Sequence, residues 1–465
     1  MARLFLPDLL YAAGQAHAGA GLLTDTDGAV QGIVFAEAIF GLEGSGVEIV
    51  RMPGRAMLPG LANAHSHSFQ RLFRGRAEGR RIGGDTFWTW REQMYRAAGF
   101  VSPEDVFDVA RATFLEMLTA GITVVGEFHY LHNERSGQPY SDPNLLALEV
   151  IRAAESVGIR ICLLRTAYLR AGFQREPHPG QARFYETGAA YLRNLETLLA
   201  ATVGRAGVSV GAAPHSIRAV PLAEIKEVAA FAKAGKLPLH LHISEQPAEN
   251  DACRSEYGQT PVALLTEHGV LDRRTTLVHS IHLTEAEFQQ VAAAGSTICS
   301  CPTTERNLGD GIFPADLVAR LGIPVAHGTD SQAQIDILED ARQSEYHLRL
   351  QKRERGILDT IQDEEIAARL LRSATASGYR ALGMESGSLA VGETADFFTV
   401  DINDMAILGI DRESLATQTI FGVGRSAIRD VAVQGRLVVE NRRHPLDDEI
   451  RARYRAVQER FSKQS

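Results

Sequence analysis

Leu58-Pro59-Gly60-Leu61-Ala62-Asn63-Ala64-His65-Ser66-His67 is the stretch that decides how this chain folds. It has the composition of a short buried strand, entered through Pro59-Gly60 and left with two histidines at alternate positions. Successive side chains on a strand point to opposite faces, so His65 and His67 point the same way. Two imidazoles side by side at a strand end make half of a four- or five-coordinate metal site. A His-x-His pair is also found as two ordinary polar residues in a loop, and alone it does not separate the two cases.

Working outward, apolar strand candidates recur at Ala56–Ala64, Gly121–Glu127, Arg160–Ala167, Val208–His215, Pro238–Ser244, Thr275–Ser280, Ser296–Pro302 and Pro324–Asp330. Most are continuous apolar runs without alternation, as expected of parallel strands covered on both faces. Helical patterns separate them. Ser102–Ala120 opens on Ser102-Pro103-Glu104 and stops at Gly121. Asp142–Gly158, Leu222–Gly235, Thr260–Gly269 and Thr284–Gly295 follow the same pattern. Eight strands, each followed by helical material, are the count of a closed (β/α)8 TIM barrel. A doubly wound open sheet is the alternative, but no G-x-G-x-x-G follows the first strand.

The two ends of the chain have a different texture. A turn at Asp25-Thr26-Asp27 leads into Gly28-Ala29-Val30 and Ile33-Val34-Phe35, which is hairpin patterning. Gly387 to Asp401 reads as two strands around a glycine turn, and Val431 to Val439 as another pair. The expected organisation is a small β-sandwich domain from residues 1–57 and 376–446. Beside it stand a barrel over 58–375 and a charged helical tail over 447–465.

A chain of 465 residues exceeds what one core usually serves. The net charge of -9 argues against a nucleic-acid-binding surface and against anchoring on anionic membranes. No apolar run is long enough to span a bilayer. Pro7 and Asp8 interrupt the start before a signal-peptide apolar region can form. Cys162, Cys253, Cys299 and Cys301 have no disulfide-framework spacing, and Cys299-x-Cys301 lies within one strand candidate. All four read as reduced thiols of a cytoplasmic protein.

In a βα barrel the chemistry sits at the carboxyl ends of the strands. The first strand ends in His65 and His67. The fourth ends Ala213-Pro214-His215-Ser216-Ile217-Arg218, and the fifth His240-Leu241-His242-Ile243-Ser244-Glu245. The sixth ends Val278-His279-Ser280 and the eighth His327-Gly328-Thr329-Asp330. Any one of these is most simply a satisfied core histidine or a helix-capping aspartate. Five strand ends agreeing is a much stronger signal.

With these motifs the chain resembles the amidohydrolase superfamily, metal-dependent hydrolases built on a distorted βα barrel with a small β domain from both termini. The motifs are Pro59-Gly60-Leu61 with His65 and His67, His242 with Glu245, His279, and Asp330. Within it the chain is most similar to the formimidoylglutamate deiminases. The stretches carrying this are His65–Arg71, Phe87–Arg91, Ala213–Arg218, His242–Gln246 and Cys301–Gly311.

The resemblance implies a metal held by His65, His67, His242 and Asp330. Three imidazoles and a carboxylate suit Zn2+, with Fe2+ fitting the same donors. Relatives with two metals bridge them through a lysine on strand four. Val208–His215 has none, so one metal per subunit is expected.

It further implies Glu245 as the proton shuttle, with His279 and Asp330 bonding the attacking water. Structural alternatives are a helix-start carboxylate for Glu245 and a backbone-bonded histidine for His279. Gln70, Arg91, Tyr130, His215 and Arg218 match positions that bind the glutamate part. Arginine grips a carboxylate through two hydrogen bonds, as a dicarboxylate substrate needs. The neighbouring Arg71, Arg74, Arg76, Arg80 and Arg81 read as a solvated or subunit-facing loop. His240 reads as barrel core, and His129 and His132 as loop or pocket lining.

The implied reaction is hydrolysis of N-formimino-L-glutamate to N-formyl-L-glutamate and ammonia, in histidine breakdown, by a cytoplasmic homodimer. The competing enzyme reading keeps the metal and changes the pocket, giving a deaminase of guanine, S-adenosylhomocysteine or a related heterocycle. A non-catalytic barrel is the reading from a different class.

Overall fold

The computed structural model describes residues 1–39, 41, 46–78, 87–362 and 364–463; the side chains of 36, 37 and 87–89 also lie outside the description. Two sheets organise the chain. The N-terminal strands are β1 (Arg3–Ala12), β2 (Gln15–Ala18), β3 (Ala20–Thr24), β4 (Val30–Phe35) and β5 (Glu48–Pro59). They join three strands from the other end, β14 (Phe397–Asp401), β15 (Ile428–Val433) and β16 (Arg436–Val439). The order is β16-β15-β14-β5-β1-β3-β4, with β2 paired to β1. Both chain ends therefore share one hydrogen-bonded sheet. A separate apolar core of Phe5, Leu22, Met57 and Phe397, among others, fills one of its faces.

The second sheet is the barrel. Its strands are β6 (Leu61–Ser66), β7 (Ile122–His129), β8 (Arg160–Ala167), β9 (Val208–Pro214), β10 (Leu239–Ile243), β11 (Thr275–His279), β12 (Thr297–Ser300) and β13 (Val325–His327). They pair in chain order and in parallel, with helices between. Closure happens just past β13. The Asp330 N–H donates to His65 O and the His67 N–H to Asp330 O, each at 3.0 Å. Gly328 permits this approach, because a Cβ there would sit 2.7 Å from His65 Cβ.

The opening run divides where the sequence suggests continuity. Ala56–Ala64 is two strands in two sheets, parted at Gly60. The Gly60 N–H donates to Asp396 O at 2.8 Å and the Leu61 N–H to Gly121 O at 3.0 Å. A side chain at Gly60 would collide with Thr123, 2.2 Å from a Cβ. The last four residues of β5 and all of β6 are buried, so no polar alternation marked the change of sheet. The expected strand pair over Gly387–Asp401 is also corrected. Only Phe397–Asp401 is a strand, and the segment before it is loop, with the Gly392 N–H bonded to Val30 O.

Helix Pro103–Leu118 begins as its sequence suggests, with a capping box between Ser102 and Asp105 and Pro103 in the first turn. Helix Asp447–Lys463 lies along it through Arg111–Glu449 at 2.7 Å and Arg453–Asp108 at 2.8 Å. Arg71 and Arg74 both pair with Glu116, and Arg76 reaches Gln458 and Ser462. Arg71 and Arg74 are intramolecular clamps, which corrects the solvated or subunit-facing reading for those two, while Arg76 is exposed, in keeping with a solvated position. Arg80 and Arg81 lie outside the described residues.

Candidate active site

Four side chains meet at the mouth of the barrel. His65 and His67 come from the end of β6, His242 from β10 and Asp330 from the loop after β13. His65 Nε2 stands 3.2 Å from His67 Nε2, 3.1 Å from His242 Nε2 and 3.5 Å from Asp330 Oδ1; His67 Nε2 is 3.2 Å from that oxygen. Four donors at roughly 2.0–2.2 Å from a shared centre would stand about 3.3–3.6 Å apart in a tetrahedron. The observed spacing fits that arrangement. All four are buried.

The surroundings prepare them as donors. His67 Nδ1 donates to Phe128 O at 3.0 Å and His242 Nδ1 to His215 O at 3.1 Å, which leaves each Nε2 lone pair facing the centre. Burial lowers the His65 imidazole to about 3, and the neighbouring His67 and His279 act in the same direction against Asp330. Burial and four flanking histidines hold His242 well below its ordinary range. Burial alone would raise the Asp330 carboxyl. The imidazoles of His65 and His67 beside it outweigh that and hold it well below the carboxylate range.

A polar network fixes the backbone of these residues. Glu127, buried near the end of β7, accepts from Ser66 Oγ, Ser68 N and Ser68 Oγ, all at 2.6 Å. Gln332 Nε2 donates to Ser66 Oγ and to Asp330 O, each at 2.9 Å. Asn63 receives the Thr329 N–H at 3.0 Å and donates to Thr329 Oγ1 at 2.7 Å. The network ties the first barrel strand to the last. Positive φ angles at His279 (72°), Asp330 (44°) and Gln332 (62°) show backbone strain concentrated here.

Glu245 lies beyond the end of β10 and is buried. His279 Nε2 is 3.8 Å from Glu245 Oε1 and 3.8 Å from Asp330 Oδ2, so the three face a common space. On its other side His279 Nδ1 is 3.4 Å from Glu305 Oε1, which also accepts the Cys301 N–H at 2.7 Å. Burial opposes charge on His279, but the carboxylates of Glu245, Glu305 and Asp330 raise its imidazole well above the usual value.

A cavity opens onto this group. Gln70, Arg91, Tyr130, His215 and Arg218 all line it, together with His67, His242, Glu245, His279 and Asp330. Gln70 Nε2 donates to Tyr130 Oη at 2.8 Å, and the Arg91 guanidinium lies over the Tyr95 ring at 5.4 Å. Tyr168, Trp90, Met94 and Leu308 complete the wall. Tyr168 directly follows β8, and Glu127 lies two residues before the end of β7. Reading the ends of the second and third strands as closely as the others would have found both.

Other expected positions fall elsewhere. His240 is barrel core, with Nε2 2.7 Å from Ala381 O. His129 and His132 are buried but do not line the cavity. His132 Nε2 donates to Thr166 O at 2.8 Å, beside the buried Arg165–Glu186 pair.

The fold and this site agree with what the chain is similar to. The amidohydrolase family model matches residues 56–438. The formimidoylglutamate deiminase of Pseudomonas aeruginosa is 42% identical over 396 residues, 84% of this chain and 86% of that protein. A 5-methylthioadenosine/S-adenosylhomocysteine deaminase of Desulforudis audaxviator is 27% identical, covering 85% of this chain and 84% of its own. The crystal structure of an amidohydrolase from Brucella melitensis superposes with a TM-score of 0.90 at 32% identity, over 99% of both chains. The chain belongs to the amidohydrolase family.

Proposed function

We propose that this amidohydrolase hydrolyses N-formimino-L-glutamate to N-formyl-L-glutamate and ammonia. The observation that carries the reading is one cavity lined both by two arginines, Arg91 and Arg218, and by His67, His242 and Asp330 of the donor group that His65 completes. A dicarboxylate amidine matches both halves, and the 42% identity to a formimidoylglutamate deiminase supports the match.

The donor set suits a single Zn2+, since burial keeps His65 and His242 neutral while the neighbouring imidazoles, against burial, keep Asp330 ionised. An ion held by these four residues would supply Lewis acidity, lowering the pKa of water toward neutrality. No lysine lies on β9 to bridge a second ion. We assign Arg91 and Arg218 to the two substrate carboxylates, with Gln70, Tyr130 and His215 orienting the chain between them.

Glu245 takes the proton from the attacking water and carries it to the departing nitrogen of the tetrahedral adduct. Asp330 accepts a hydrogen bond from that water and turns its lone pair toward the formimino carbon. His279, proton-rich among three carboxylates, donates to the oxygen as negative charge develops. The C=N carbon needs no covalent enzyme intermediate.

A place in histidine breakdown, a cytoplasmic setting and a homodimer belong to the same proposal, as does the division into 1–57 with 376–446, 58–375 and 447–465. Four buried free cysteines suit a reducing compartment. Among the described residues no helix is long and apolar enough to cross a membrane. Ammonia release from N-formimino-L-glutamate, run beside guanine, adenosine and S-adenosylhomocysteine, tests the substrate. Release from a purine but not from the amidine would replace this reading with that of a heterocycle deaminase.

A further inference from the structure

We propose that Arg170 is a positioning residue for substrate recognition, acting through Arg218; the inference rests on the reading of the cavity given above. Arg170 follows β8 and does not itself line the cavity. Its guanidinium reaches sideways to the loop after β9. Nη2 donates to Ile217 O at 2.8 Å and Nε to Arg218 O at 3.1 Å. These carbonyls belong to the two peptide groups on either side of the Arg218 Cα.

A residue's φ and ψ are set by the orientations of the peptide planes that flank it. One rigid, planar guanidinium bonded to both planes therefore fixes the backbone from which the Arg218 side chain enters the cavity. The Arg170 backbone adds to the grip, with its own N–H and that of Leu169 donating to Ala219 O at 3.0 and 2.9 Å.

The guanidinium is itself anchored. Nη1 donates to Glu256 Oε1 at 2.7 Å, an ion pair in which both side chains are largely shielded from solvent. Glu256 lies on helix Pro247–Tyr257, which begins just after Glu245. The same helix supplies Tyr257 Oη, which accepts the Leu222 N–H at 3.4 Å. Arg170 thus joins the segment bearing Arg218 to the element that follows Glu245. It sets the distance between the carboxylate-binding cation and the proton carrier. Lysine cannot replace it, since a single ammonium has neither the span nor the planarity to serve two carbonyls and a carboxylate together.

The test is a double-mutant cycle on the full-length, metal-loaded enzyme with N-formimino-L-glutamate, using Arg170→Ala, Arg218→Met and the pair. Arg170→Ala is expected to lower kcat/KM by about 10- to 100-fold, mostly through KM and with wild-type metal content, as a misplaced binding group does. In the Arg218→Met background the same change is expected to cost less than about threefold, because the group it positions is gone. Equal losses in the two backgrounds would overturn the proposal. Glu256→Gln removes only the anchor and covers the case in which Arg170→Ala does not fold. It is expected to raise KM about threefold or more in the parent and to leave it unchanged beside Arg218→Met. A parental KM after Glu256→Gln also overturns the proposal. Wild-type enzyme that does not turn over N-formimino-L-glutamate withdraws the substrate reading and this inference together. Additive losses in an active enzyme withdraw this inference alone.

Discussion

Replacing Arg218 by methionine keeps an unbranched apolar stem and removes the guanidinium and its charge. In the free enzyme the change is tolerable. Burial raises the neighbouring Glu249 carboxyl to about 7 while Arg218 pulls it down. Without the arginine, Glu249 is pushed further toward its neutral form, which limits the buried negative charge left behind. The loss therefore falls on the substrate complex. A carboxylate entering the cavity surrenders its water and finds no cation, and truncating one member of a buried charge pair costs about 2–5 kcal/mol. At about 1.36 kcal/mol per tenfold, that is roughly 30- to 5,000-fold in kcat/KM. KM should carry most of it, because Arg218 binds substrate and transition state alike. The assay is initial-rate ammonia release across a range of substrate concentrations, with bound metal and melting temperature measured on the same preparation. Wild-type KM in a variant with normal metal content would refute the assignment of Arg218 to a substrate carboxylate.

Glu245→Gln should abolish turnover while leaving bound metal unchanged, because glutamine keeps the shape and cannot carry the proton; metal analysis beside the rate assay checks this. His242→Ala should lose both metal and activity, as should prolonged chelation. Added Zn2+ should restore only the chelated wild type, with a stability gain of about 4 kcal/mol at a free metal concentration a thousand times Kd. Asp310 gives a pH prediction. Burial, with Glu245 nearby, raises its carboxyl to about 8. The folded state then keeps a proton that the unfolded chain has lost, and stability falls as pH rises between about 4 and 8. Asp310→Asn should accordingly raise the melting temperature more at pH 8 than at pH 5, and an equal change at both would contradict this.

The barrel was legible because its strands are continuous apolar runs and its helices carry their own start and stop residues. Val208–His215 and Leu222–Gly235 agree with the observed elements to within a residue. The site was legible for a related reason. A parallel barrel presents the carboxyl end of every strand at one mouth, so chemistry-bearing residues at those ends must meet. His65, His67, His242, Glu245, His279 and Asp330 all stand at or just past such strand ends, and the fold brings them together. What stayed hidden depends on contacts between distant segments. Nothing local in Ala56–Ala64 says that the run changes sheets at Gly60, because both halves are buried. Nothing local marks Arg71 and Arg74 as partners of Glu116, or Arg170 as the brace of the Arg218 loop. Each partner lies tens of residues away.

By itself, the order of residues determined the periodicity, the strand ends and which side chains are able to bind a cation or a carboxylate. These are properties of short segments. Closure of the barrel decided the rest. It brings Asp330 within 3.2 Å of His67 across more than half the chain, suppresses the charge on His65 by burial, and draws Glu127, Gln332 and Asn63 into the network that holds the mouth rigid. Distance and desolvation act through space, and neither is defined until the chain has folded back on itself.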